Sequence, residues 1–145
     1  ISLVDFFLKK KEYLKARYYV RKSILANGDS ADLWQRSAEI YFEMNFYEEA
    51  SLACDNQVEL GQHDLKTWVI WMDSLIHLKE WEQAIEVGEK ALKYHESKAS
   101  FLYRLAGCKM RIGMKKEGLK LFEKAKLNLP LPSKINHLFP EFTKI

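Results

Sequence analysis

The chain has 145 residues, one ordinary domain's length, which is enough to bury a real core. Apolar residues make up 48% and charged residues 30%, which excludes a disordered chain. The longest apolar run, Trp68 to Met72, is far too short to cross a bilayer, and the net charge of +3 leans only slightly toward acidic partners.

In chain order, Leu3, Val4, Phe6, Phe7 and Leu8 predict a first helix over residues 1–10, its start cut off, with Lys11 and Glu12 as the turn. Residues 13–26 read as a second helix, because Ala16, Val20 and Ile24 share one face. Asn27-Gly28 stops it, and Asp29 and Ser30 are candidate N-caps for the next. Residues 31–45 and 47–60 form a second pair, ended by Gly61, and Asp64 caps a third pair over 65–78 and 81–94. Ser97 is the candidate cap of a fourth pair over 99–112 and 115–128, with Gly113 between its helices. Pro130 and Pro132 forbid continuation; Ser133 then caps a short helix to about Phe139, ended by Pro140. Its Ile135, Leu138 and Phe139 are expected to cover the open face of the fourth pair.

These pairs repeat. An offset of 34 residues lays Trp34 on Trp68, Tyr41 on Leu75, Met44 on Leu78, Tyr47 on Trp81 and Ala50 on Ala84. A further copy puts Leu102, Ala106, Ile112, Gly118, Phe122 and Ala125 in register, and one upstream places Phe7, Tyr13, Ala16 and Val20. A fixed period of this length is the signature of a stacked array. The pattern resembles the tetratricopeptide repeat: large apolar at repeat position 4 (Trp34, Trp68, Leu102) and small at position 20 (Ala16, Ala50, Ala84, Gly118). Met72, Lys109, Gln57 and Gly88 depart from it without breaking the period. The resemblance implies an all-α fold, a right-handed superhelical solenoid of four helix-turn-helix repeats. Their approximate bounds are 1–30, 31–64, 65–98 and 99–132, with a capping helix and tail over 133–145.

Catalytic readings find no support in the residues. His63, His77, His95 and His137 are scattered, and there is no HExxH, CxxC, phosphate-binding glycine loop or nucleophile elbow. Neither a metal nor a cofactor is expected, and the chain reads as not an enzyme. Cys54 and Cys108 sit in separate repeats, so no disulfide is expected. The chain opens at Ile1 with no Met, signal peptide or transmembrane segment, which suggests a trimmed product and favours the cytoplasm. The aromatics fall mostly in packing slots rather than forming a stacking platform for bases.

Charge is banded. Residues 9–22 hold seven basic side chains and one acid, residues 37–65 hold seven acids and no Lys or Arg, and residues 109–126 are again basic. In proteins with this repeat, first-helix positions 9, 12 and 13 face the concave groove. The resemblance places Asp5, Glu39 and Asp73 at position 9, and Leu8, Phe42, Ile76 and Met110 at position 12. Position 13 is Lys9, Glu43, His77 and Arg111. An apolar stripe edged with carboxylates suits a peptide or helix with apolar and basic residues. The carboxylate clamp of chaperone-binding members is absent, since Asp5 and Glu39 would repel a carboxylate. The expected function is therefore a non-catalytic protein-protein interaction scaffold whose partner is a protein or peptide, without membrane insertion. The rivals are an RNA-associated helical-repeat protein, prompted by the basic ends, and a structural segment of a larger protein. Nucleic acid is the less expected partner, because the related pentatricopeptide repeat has a period of about 35 residues.

Overall fold

A computed structural model describes residues 2–28, 30–96 and 98–145, and among the described residues there is no strand. The helices are α1 (Ser2–Lys9), α2 (Tyr13–Asn27), α3 (Ala31–Glu43), α4 (Tyr47–Glu59) and α5 (Leu65–His77). They continue as α6 (Trp81–Tyr94), α7 (Ala99–Arg111), α8 (Lys115–Asn128) and α9 (Ser133–Leu138), with a 3₁₀ helix over Pro140–Lys144. The caps expected at Asp29 and Ser97 lie outside the described residues. The Ser30 cap forms: its hydroxyl accepts the Leu33 N–H at 3.1 Å.

The turn inside each pair is built the same way. Lys11, Asn45, Lys79 and Gly113 have φ of 57°, 64°, 59° and 91°, the left-handed region that closes a helix. The N–H groups of the residues after them, Glu12, Phe46, Glu80 and Met114, reach back to the carbonyls of Phe7, Tyr41, Leu75 and Lys109 at 2.8–2.9 Å. The 34-residue period of the side chains is thus also a period of the backbone.

By internal contacts the chain divides into two compact units, residues 1–74 and 75–145, with α5 running from one into the other. In the first unit α1 packs on α2, α2 on α3 and α3 on α4. Val4, Ala16, Val20, Leu33 and Ile40 form one buried cluster, and Phe7, Leu8, Tyr13, Tyr19, Ile24 and Met44 lie against it. Ala50 is fully buried in its small slot. Gln57 replaces the usual alanine because it has polar work in the interior. Its amide donates to Gln62 Oε1 and to Thr67 Oγ1, each at 2.8 Å, and the Thr67 hydroxyl donates in turn to Asp64. Asp64 therefore holds the Thr67 side chain at the start of α5.

In the second unit α6 packs on α7, and α7 on both α8 and α9. Gly118 fills a small slot tightly: a Cβ there would lie 2.6 Å from Met110 Cγ and 2.9 Å from the Ala106 carbonyl oxygen. Lys109, another departure from the repeat pattern, pairs with Glu117 at 3.2 Å. The C-terminal segment differs from expectation in detail. Pro132, extended at φ −69° and ψ 144°, is the N-cap of α9, so Ser133 is its first residue rather than its cap. Pro140 ends α9 as expected but also opens the 3₁₀ helix, which turns Phe142 inward. Ile135, Phe139 and Phe142 are buried, while Leu138 is half-buried.

Candidate functional site

The face expected to bind is carried by the first helix of each pair. In the first unit the position-9 carboxylates are already matched. Arg36, on α3, grips Asp5 with two bonds, Nε to Oδ1 at 2.6 Å and Nη2 to Oδ2 at 3.3 Å. That hydrogen bond, more than charge alone, holds the Asp5 carboxyl below its ordinary value. Glu39 pairs with Lys66 Nζ at 2.7 Å. Both acids therefore tie one repeat to the next. As placed, Asp5 and Glu39 each already face a cation of this chain, where the sequence expectation had them facing a basic partner.

Asp73 is corrected more sharply. It is fully buried, as are Ser74 beside it and Ile76 to within 4%. None of these offers a surface to a partner. The residues around them, Trp68, Ile70, Trp71, Met72 and Leu75, are buried too, so α5 is covered on nearly every face. His77, at its end, is exposed.

What remains open in the first unit is an aromatic surface around Glu43. Phe42 is half-buried and meets Tyr47 edge-on with centroids 5.6 Å apart. Leu8 and Tyr13 lie half-buried on the core cluster. Desolvation first, and the charge of Glu43 second, hold the phenols of both Tyr13 and Tyr47 above their ordinary range. The Glu43 charge thus acts on both phenols. It is exposed, and among the described residues it joins no ion pair. The 34-residue register marks Tyr13 and Tyr47 only as packing positions. The signal that could have marked them is the aromatic row Tyr13, Tyr47, Trp81, one at the start of each of three second helices.

In the second unit the expected groove positions are filled from within. Met110 packs onto Gly118 of α8. Gly107 lies flat under the Phe139 ring: a Cβ added there would meet ring carbons at 2.5 and 2.6 Å. Arg111 binds Glu141 with two bonds, Nε to Oε2 at 2.5 Å and Nη2 to Oε1 at 2.9 Å. Its guanidinium also stands over Trp81 at 4.9 Å and Phe139 at 5.2 Å. Where the expectation had Met110 and Arg111 open to a partner, the chain's own C-terminal segment engages the Arg111 charge, and α8 engages Met110.

No group of His, Cys, Asp and Glu suited to a metal ion occurs among the described residues. No helix among them is long and apolar enough to cross a membrane.

No family profile matches this chain, and no curated protein does. Solved structures match it well in shape. A crystal structure of MamA has a TM-score of 0.84 at 15% identity, over 99% of this chain and 85% of that one. A second MamA structure, from AMB-1, gives 0.82 at 16%, over 93% and 74%. YrrB, titled a TPR protein with an unusual peptide-binding site, gives 0.78 at 15%, over 97% and 74%. With its paired helices and its 34-residue backbone period, the chain has the fold of the tetratricopeptide-repeat proteins.

Proposed function

We propose that this chain is a non-catalytic protein-interaction scaffold whose first unit takes a peptide or helix of a partner protein. The binding surface is Leu8, Tyr13, Phe42 and Tyr47 around Glu43. The observation that carries the reading is the contrast among the carboxylates. Asp5 and Glu39 are neutralised by Arg36 and Lys66, while Glu43 stays unpaired among half-buried rings. A charge beside apolar surface suits a Lys or Arg flanked by apolar side chains. The peptide-binding YrrB shares the fold, which supports a peptide as the occupant.

The test is selection of peptides from a displayed random library, followed by calorimetry. Peptides combining a basic and a large apolar residue are expected. Phe42→Ala should weaken them by about 1–2 kcal/mol, as loss of an apolar anchor does. Glu43→Lys should weaken them through repulsion. Charge reversal of Lys116 and Lys120 on α8 is the control and should leave affinity unchanged. Full affinity in both Phe42→Ala and Glu43→Lys would overturn the assignment.

A further inference from the structure

The outer faces of α2 and α4, both in the first unit, are charged with opposite sign. Helix α2 carries Lys15, Arg17, Arg21 and Lys22 and no acid, while α4 carries Glu48, Glu49, Asp55 and Glu59 and no base. Among the described residues none of these eight side chains enters an ion pair. The cations of α2 lie instead against rings: Lys15 by Phe7, Arg17 by Phe46 and Lys22 by Tyr18, while Arg21 donates to the Tyr41 hydroxyl.

The same faces expose large apolar side chains. Leu14 is 66% exposed, Tyr18 54% and Leu25 88%, at intervals that line them along one side of α2. Across from them Leu52 of α4 is 61% exposed. Between the two helices runs a cleft of about 440 Å³, floored by Trp34 and Tyr41, with Leu25 and Leu52 among its walls. Monomeric proteins rarely leave such a cluster uncovered.

We propose that this surface binds a second copy of the chain, the basic face of α2 on one copy meeting the acidic face of α4 on the other. A two-fold arrangement makes both contacts at once, because the patch carries both halves of the match. The charge pattern favours this occupant over a nucleic acid or an anionic membrane. Either of those would meet the carboxylates of α4 across the cleft from the bases it sought. A second copy turns the same carboxylates into attraction, and it covers leucines on both helices. The surface is built on other residues than the one around Glu43 and meets it only at Tyr13, Leu14 and Lys15, so neither reading requires the other.

Sedimentation velocity at rising chain concentration tests it, with charge reversal as the probe. The wild-type chain should form a dimer that weakens as salt is added. Lys15→Glu with Lys22→Glu cancels the net charge of the α2 face, and Glu48→Lys with Glu49→Lys cancels that of the α4 face. Each variant alone should sediment as a monomer, its fold checked by circular dichroism. Mixed in equal amounts, the two should recover part of the association, because the unaltered basic α2 of one meets the unaltered acidic α4 of the other. A wild-type chain that stays monomeric at sub-millimolar concentration overturns the proposal. So does a dimer indifferent to both reversals, or a mixture that fails to associate while both variants remain folded. Binding of RNA or anionic vesicles to α2 by a monomeric chain would assign the face to that ligand instead.

Discussion

The left-handed turn residues set a local strain that single substitutions can read. An L-residue with a side chain is held at positive φ at a cost of about 1–2 kcal/mol, which only glycine escapes. Of the four equivalent turn positions one is already Gly113 and one is Asn45, which tolerates the conformation; Lys11 and Lys79 do not. Lys79→Gly removes that strain but adds freedom to the unfolded chain, so a net gain of up to about 1 kcal/mol is expected. Chemical denaturation measures it, and a loss of stability would show that the lysine stem contributes packing not visible in its φ. The departures from the repeat pattern are also settled at this scale. Gln57 is retained by its bonds to Thr67 and Gln62, and Lys109 by its pair with Glu117.

At the scale of the element, the small slots govern how closely helices approach. Ala50 and Ala84 have no exposed surface, so Ala50→Phe or Ala84→Phe must displace a neighbouring helix, costing about 1–3 kcal/mol or more. Thermal melting checks this, and unchanged melting in both variants would mean the slots have slack. The C-terminal segment is an element held partly by charge. Bonding to Arg111 first, against desolvation, depresses the Glu141 carboxyl below its ordinary value. A depressed carboxyl contributes stability that is fully present above its unfolded value, near 4.5. That contribution is lost as pH falls through the lower folded value. Carboxyl NMR titration should place Glu141 below the usual range, and Arg111→Met should return it there. In the same variant, amide exchange over residues 133–145 should quicken at neutral pH, since the segment keeps only its apolar anchors Ile135, Phe139 and Phe142.

For the whole molecule, the two proposed surfaces use different residues of the first unit, adjoining at Tyr13 and Leu14, and should separate experimentally. Phe42→Ala and Glu43→Lys should reduce peptide affinity while leaving the sedimentation of the chain unchanged. Reversal of Lys15 and Lys22 should abolish self-association while leaving peptide affinity unchanged. Both proposed contacts are salt-sensitive, so the measurements belong at one ionic strength. If either pair of variants altered both properties, peptide and second copy would be competing for one surface. Circular dichroism of the chain should show helix without appreciable sheet.

The sequence alone determined the helices, their pairing and their 34-residue register. In a repeat fold each helix meets mainly its neighbours along the chain, so local pattern and tertiary contact carry the same information. The breaks at Gly61, Gly113 and Pro140 were legible for the same local reason. Only the tertiary structure decided which polar residues remain available to a partner. Asp5 is neutralised by a residue 31 positions away, and the register that shows it on the binding face does not show Arg36 reaching it. Asp73 carries the same repeat position as Asp5 and Glu39, yet it is buried, because α5 is covered on almost every side while α1 and α3 are not. Gly107 and Arg111 look like open groove positions until the short segment beyond Pro132 folds back over α7. Periodicity sets which way a side chain points; what it meets there depends on segments outside the period.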